Sequence, residues 1–158
     1  NELQDAWEST VKSATALLKS HKDKIVLPTD VAANVEENRI DIKVENLPIH
    51  APLFDMGIAS ILALSSRIKS AGTIILNGPA GVFELPDFAL GTIEMLNACA
   101  ESTGYAVMGG GHTATLVSQR GLASKMGHVS TGGGAALELL ELGDLPGLNA
   151  LRGAPNVK

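Results

Sequence analysis

The chain has 158 residues, of which 45% are hydrophobic and 18% charged, a composition that predicts one folded domain and excludes a disordered segment. Acidic residues outnumber basic ones by 17 to 12, so we expect neither a general nucleic-acid surface nor an anionic-membrane surface. With a single cysteine, no apolar run long enough to span a bilayer and no secretory leader pattern, the sequence favours a cytoplasmic protein.

The first half of the chain alternates helical and extended patterns. Residues 3–20 place apolar side chains three or four positions apart and are predicted to form a helix, which Trp7 is expected to anchor to a sheet. Residues 40–44 alternate apolar and polar side chains, which indicates an edge strand with one face in water. Residues 46–57 contain two prolines and a glycine and are predicted to form a loop, whereas residues 58–69 return to a helical period.

The second half repeats one unit three times: a short apolar strand, a glycine-rich loop and an amphipathic helix. Units of this length predict an α/β fold, a Rossmann-like parallel sheet with helices on both faces in three α/β/α layers. The segment from Gly143 onward is expected to be an extended surface tail. The strands are predicted at residues 73–76, 105–108 and 127–130, and the helices at about 88–102, 112–122 and 135–141.

The three glycine-rich loops all follow predicted parallel strands. Ligands of such sheets bind beyond the carboxyl ends of the strands, so the loops at 77–85, 109–111 and 131–134 should meet there. A glycine before a helix lets an anion approach the unpaired N–H groups and the positive end of the helix dipole. Three such loops at one edge therefore indicate a site for phosphate groups.

Other known phosphate-binding and metal-binding motifs match the sequence only in part or do not occur in it. Gly109, Gly111 and Ala114 match G-x-G-x-x-A, a pattern also found in dinucleotide-binding domains. That fingerprint requires an acidic residue after the next strand, where this chain has Ser130 and Thr131. The sequence contains no G-x-x-x-x-G-K-[ST] loop, no G-x-S-x-G elbow and no C-x-x-C or H-E-x-x-H pattern, so no metal site of protein ligands is expected.

The sequence contains motifs at residues 77–84, 91–92, 109–113, 128–140 and 145–147, and weaker ones at 25–31 and 55–57. Together these motifs resemble the phosphoglycerate kinase family over nearly the whole chain. The resemblance implies a two-domain, hinge-bending kinase that moves a phosphoryl group between 1,3-bisphosphoglycerate and ADP. Residues 1–158 would be most of its C-terminal nucleotide-binding domain, without the N-terminal substrate domain.

The same resemblance implies a binding site for Mg-ADP or Mg-ATP. In the first loop, the residues bordering the nucleotide would be Asn77, Pro79, Gly81, Val82 and Glu84, with Glu84 accepting hydrogen bonds from the ribose. Those lying against the nucleotide phosphates would be Gly110, Gly111, His112 and Thr113. Backbone N–H groups directed at the transferring phosphoryl group would come from Gly111, Gly132, Gly133 and Gly134.

His112 departs from the commoner form of the family, which has a magnesium-coordinating aspartate after the glycine triplet. Archaeal members resemble this histidine variant, and an imidazole is a poor ligand for Mg²⁺, so the metal is expected to be held mainly by the nucleotide. His112 either donates to a phosphate or simply opens the helix. The other partners implied are 3-phosphoglycerate or 1,3-bisphosphoglycerate on the missing domain, so the chain alone is expected to be inactive. The alternative is a stand-alone nucleotide-binding module without kinase activity.

Overall fold

The computed structural model describes residues 2–153, which contain two three-stranded sheets, six α-helices and three short 3-10 helices. Most of the helices predicted from the sequence are present within one or two residues of the expected bounds. The strands are β1 Asp30–Val35, β2 Asn38–Lys43, β3 Leu53–Met56, β4 Thr73–Asn77, β5 Tyr105–Gly109 and β6 His128–Ser130. The helices are α1 Glu2–Ser20, α2 Ile58–Ser70, α3 Leu90–Glu101, α4 Gly111–Gln119, α5 Gly133–Leu142 and α6 Pro146–Gly153.

Strands β4, β5 and β6 form a parallel sheet in that order, flanked by helices, which confirms the predicted three-layer α/β class. Ile74 pairs with Ala106 and Leu76 with Met108, so alternate residues of β4 and β5 face the same side of the sheet. Leu96 of α3 and Val117 of α4 pack against that side. The hydrophobic core therefore lies directly below the strand ends that lead into the glycine loops.

Cys99 belongs to this core, as the sequence predicted. It is 1% exposed, and burial raises the pKa of its thiol to about 11. The neutral thiol therefore packs as a small apolar group and is not a nucleophile at neutral pH.

The second sheet is antiparallel, with strand order β2-β1-β3. The predicted edge strand is confirmed as β2, but the prediction that residues 46–57 form a loop is wrong for Leu53–Met56, which is β3. Here Val31 pairs with Met56 and Ala32 with Asp55. These pairings with β1 satisfy the backbone of a segment whose flanking Pro52 and Gly57 favour a loop by local preference alone.

Asp30 connects this sheet to the start of α2. Its carboxylate accepts hydrogen bonds from the amides of Ala59 (3.0 Å) and Ser60 (2.7 Å) and from the Ser60 hydroxyl. Burial by itself raises the pKa of Asp30, but these hydrogen bonds outweigh it and hold the pKa below its usual value. The ionised Asp30 therefore caps the helix that packs against α3.

Both ends of the described chain differ from expectation. Trp7 of α1 is 68% exposed and does not anchor that helix to a sheet. The prediction of an extended tail from Gly143 is wrong for Pro146–Gly153, which form α6. Pro146 occupies the first position of this helix, where proline is well suited. The expected tail beyond Gly153 lies outside the described residues. No helix within residues 2–153 combines the length and apolar character needed to cross a membrane.

Candidate functional site

The three glycine-rich loops meet at the carboxyl ends of β4, β5 and β6. The amide of Gly78 donates to the carbonyl of Gly109 (3.3 Å), and the amide of Gly110 donates to the carbonyl of Ser130 (3.1 Å). Gly78 and Gly110 have φ of 86° and 100°, a region that side chains disfavour. These two glycines allow neighbouring loops to continue hydrogen bonding past the ends of the strands.

The start of α5 is pressed against the other two loops. A Cβ atom added to Gly133 would lie 2.8 Å from Asn77 Oδ1 and 2.8 Å from the Cα of Gly110. Asn77 Oδ1 would also lie 2.6 Å from a Cβ added to Gly109. Asn77 and Gly133 thus keep the three loops in close contact. As a result the starts of α4 and α5 lie side by side.

Two helix N-termini open onto this edge. Gly110 precedes α4 and Gly132 precedes α5, and neither helix has a side-chain hydrogen bond capping its start. A Cβ added to Gly111 or Gly134 would meet nothing within 4 Å among the described atoms. The first amides of both helices are therefore available to an external acceptor, and the two helix dipoles favour an anion there.

Thr113 adds a side-chain group to the same place. Its side chain is fully buried, and its Oγ1 has no hydrogen-bond partner within the described part of the chain. That oxygen would lie 3.9 Å from a Cβ added to Gly110, so it sits directly beneath the second loop. A buried hydroxyl without a partner destabilises the fold by about 1–3 kcal/mol, and a bound ligand would remove that penalty.

Two cavities flank the meeting point of the loops. One, of about 320 Å³, lies between β3 and the first loop and is lined in part by Pro79, Gly81 and Val82. The other, of about 480 Å³, is lined in part by Gly111 and Thr131. The residues predicted to bind the nucleotide therefore lie in two places, the cavity beside β3 and the start of α4.

A contact between two aromatic rings connects the first loop to the start of α4. The rings of Phe83 and His112 lie 5.8 Å apart at a tilt of 50°, so the first loop touches the start of α4. Both His112 and Glu84 are exposed to solvent. The sequence predicted the proximity of Phe83 and His112 only through the topology of the sheet, since these two residues are 29 positions apart in the chain.

Sequence reasoning missed the side chains that hold the first loop in place. Thr92 Oγ1 accepts hydrogen bonds from the amides of Ala80 (3.0 Å) and Gly81 (3.3 Å). Arg39 and Asp55 form an ion pair at 2.9 Å beneath the same loop. Thr92 lies within a motif of the family resemblance, but its spacing alone does not indicate that its hydroxyl holds another loop.

The donor set does not fit a metal ion held by protein side chains alone. Among residues 2–153 there is no group of three or more His, Cys, Asp or Glu side chains close enough to hold one. The groups that face the loops are backbone amides, a hydroxyl and an imidazole, which suit phosphate oxygens better than Mg²⁺.

Comparisons with known proteins all find one family. The family model of phosphoglycerate kinase matches residues 2–142. The phosphoglycerate kinase of Methanothermobacter thermautotrophicus is 41% identical over 89% of this chain and 34% of its own length. That of Methanocorpusculum labreanum is 41% identical over 92% of this chain and 36% of its own length. The chain thus spans about a third of the curated relatives that it matches.

Solved structures give the same result. The crystal structure of phosphoglycerate kinase from Pyrococcus horikoshii OT3 superimposes with a TM-score of 0.83 at 31% identity, covering 94% of this chain and 38% of that one. The enzyme from Coxiella burnetii gives a TM-score of 0.75 at 34% identity, covering 96% of this chain and 39% of that one.

Proposed function

The chain belongs to the phosphoglycerate kinase family, and from that premise we propose that it carries the nucleotide-binding half of an enzyme that transfers a phosphoryl group. The reaction is the reversible conversion of 1,3-bisphosphoglycerate and ADP to 3-phosphoglycerate and ATP. The observation that carries the proposal is the meeting of two uncapped helix starts with the buried, unpartnered hydroxyl of Thr113. This arrangement supplies hydrogen-bond donors to phosphate groups.

In the proposed complex the nucleotide lies across the first loop and the start of α4. The base and ribose are bordered by Asn77, Pro79, Gly81, Val82 and Glu84, with Glu84 accepting from the ribose hydroxyls. The cavity beside β3 supports this position, because three of these residues line it. The phosphates lie against Gly110, Gly111, His112 and Thr113, where the Thr113 hydroxyl gains the partner that it lacks within the described residues.

The start of α5 is assigned to the transferring phosphoryl group. Charge in the transition state spreads over the oxygens of that group, so fixed donors stabilise it without a proton transfer by this chain. Backbone amides of Gly111, Gly132, Gly133 and Gly134 are the proposed donors. Their fixed positions follow from the contacts of Gly133 with Asn77 and Gly110. The Gly132 amide, which donates to Ser130 Oγ at 3.2 Å in the structure, would exchange that partner for the phosphoryl group.

Magnesium in this proposal is bound by the nucleotide phosphates, whose charge it neutralises when present. His112 has two remaining roles, donation to a phosphate oxygen or opening α4, and its exposure is compatible with both. Relatives from methanogenic archaea support an archaeal-type member of the family. We further propose that 1,3-bisphosphoglycerate or 3-phosphoglycerate binds a second, N-terminal domain, that residues 1–158 alone are inactive, and that the enzyme works in the cytoplasm.

The test is a coupled assay of the full-length gene product with ADP, Mg²⁺ and 1,3-bisphosphoglycerate, beside calorimetric titrations with Mg-ADP and NAD. Turnover together with a preference for Mg-ADP is expected. Mg-ADP binding without turnover by the folded protein would instead favour a nucleotide-binding module, and a preference for NAD would reject the kinase assignment. The intact mass of the protein purified from its source then shows whether these residues are part of a longer polypeptide.

A further inference from the structure

Arg39 of β2 reaches two other segments of the chain from a largely buried position. Its side chain is 14% exposed. Nη1 donates to Asp55 Oδ2 and to the carbonyl of Asp87, both at 2.9 Å, and Nη2 donates to the carbonyl of Met56 at 2.7 Å. Nε donates to Asp41 Oδ1 at 3.1 Å. One guanidinium thus joins the hairpin, β3 and the segment that follows the first glycine loop.

Asp55 continues the connection to the start of α3. Its carboxylate has no exposed surface and accepts hydrogen bonds from the amides of Met56 (2.8 Å) and Gly91 (2.9 Å). Gly81 lies directly against the carboxylate, since a Cβ added there would stand 2.6 Å from Asp55 Oδ1. The first loop therefore lies on the buried Asp55 carboxylate, which forms an ion pair with Arg39 and accepts hydrogen bonds from two backbone amides.

The first loop has no other secondary structure to hold its shape between the end of β4 at Asn77 and the turn beginning at Pro86. Besides the contacts of Gly81, the amide of Val82 donates to the carbonyl of Phe54 at 2.7 Å, which places the loop against β3. Asp55 is adjacent to Phe54, so the ion pair fixes the strand on which the loop lies. Arg39 fixes the far end of the loop through Asp87.

We propose that Arg39 and Asp55 form a positioning pair that sets the shape of residues 77–85 and thereby the affinity for the nucleotide base and ribose. This inference rests on the proposed function. The pair touches neither the start of α4 nor that of α5, where the transferring phosphoryl group is placed. Disturbing the pair is therefore expected to weaken nucleotide binding far more than it slows the chemical step.

The test uses Arg39→Lys in the full-length gene product. Lysine keeps a positive charge beside Asp55, so the fold is retained, but one ammonium group cannot replace a planar fork that bonds four acceptors. Losing the bonds to Asp87 and Met56 is expected to raise the KM for ADP about tenfold, while kcat changes by no more than about twofold. The KM for 1,3-bisphosphoglycerate should remain at the wild-type value.

Asp30→Asn is the matched control, because Asp30 is also a nearly buried carboxylate that accepts hydrogen bonds from backbone amides at a helix start. Its partners are in α2 rather than in the first loop. Asp30→Asn should lower the melting temperature at least as much as Arg39→Lys and leave the KM for ADP unchanged. A general loss of stability therefore cannot produce the pattern expected of Arg39→Lys.

The outcomes separate this inference from the proposed function. An active wild type whose KM for ADP is unaffected by Arg39→Lys overturns the positioning pair and leaves the kinase assignment intact. If the wild type binds ADP by calorimetry but does not turn over, the kinase assignment fails, and an approximately tenfold weaker ADP affinity in Arg39→Lys still supports the pair. A folded wild type that does not bind ADP overturns both.

Discussion

Replacing Gly133 by alanine tests the geometry of the three loops most directly. The new Cβ would lie 2.8 Å from Asn77 Oδ1, 2.8 Å from Gly110 Cα and 2.9 Å from Gly110 N. The Asn77 side chain can rotate away, but the Gly110 backbone is held by its hydrogen bond to Ser130. The start of α5 must therefore move away from the second loop.

The size of the effect follows from these contacts. Overpacking of a tight site costs about 1–3 kcal/mol, and alanine recovers about 0.5–1 kcal/mol relative to glycine in a helix. The middle of these two ranges leaves a net loss of about 1 kcal/mol, which corresponds to a melting temperature lower by roughly 2–4 °C in a chain of this size. Displaced amides at the start of α5 should reduce kcat about 10- to 100-fold, with a smaller effect on ADP affinity.

Gly134→Ala is the control for stability, since a Cβ there would meet nothing within 4 Å among the described atoms. It should raise the melting temperature slightly, by an amount corresponding to about 0.5 kcal/mol. Thermal unfolding followed by circular dichroism compares the two variants, and steady-state kinetics of the full-length protein supplies kcat and KM. Equal stability of the two variants would refute the packing argument. Lost ADP affinity with unchanged kcat in Gly133→Ala would refute the assignment of this loop to the transition state.

Two further substitutions test buried polar groups. Thr113→Val removes a hydroxyl that has no partner in the described structure, so stability should rise by about 1 kcal/mol while Mg-ADP affinity falls about tenfold; unchanged affinity in calorimetry would remove Thr113 from the site. The pKa of Asp30 is lowered on folding, so its stabilising contribution is present above the pKa of the unfolded carboxyl and is lost as pH falls through the folded value. The free energies of unfolding of wild type and Asp30→Asn, measured by denaturant titration, should therefore be similar in acid and differ at neutral pH. A difference in unfolding free energy that is the same at all pH values would contradict this.

Strands β4 and β5 could be predicted from sequence because TIILN and YAVMG place apolar residues on both faces, whereas β6, His128–Ser130, could be predicted only from its place before the third glycine loop. β1 and β3 could not, since the sequences DVAANV and LFDM contain polar and small residues that have no clear alternation. Their strand structure depends on pairing with each other and with β2. Such tertiary pairing overrides a local preference, which a single sequence does not show.

The candidate site was predictable to a similar extent. Glycine spacing placed the three loops at one edge of the sheet. The hydrogen bonds from the Gly78 amide to the Gly109 carbonyl and from the Gly110 amide to the Ser130 carbonyl bear out that placement. Arg39 escaped notice because it borders an alternating strand, where charged residues are usually exposed, and Asp55 because it lies in a segment that was predicted to be a loop. Their burial results from contact between segments 16 positions apart, and the sequence contains no motif for that contact.

The uncapped starts of α4 and α5 have a consequence for the chemical durability of the site. Residues 109–115 and 130–136 contain no lysine or arginine, so the positive potential there comes from peptide dipoles. Acetylation and carbamylation remove the charge of lysine side chains, and neither reaction can neutralise a peptide N–H group. The proposed phosphate contacts made by these two loops should therefore persist after lysine modifications that abolish phosphate binding at sites that depend on lysine.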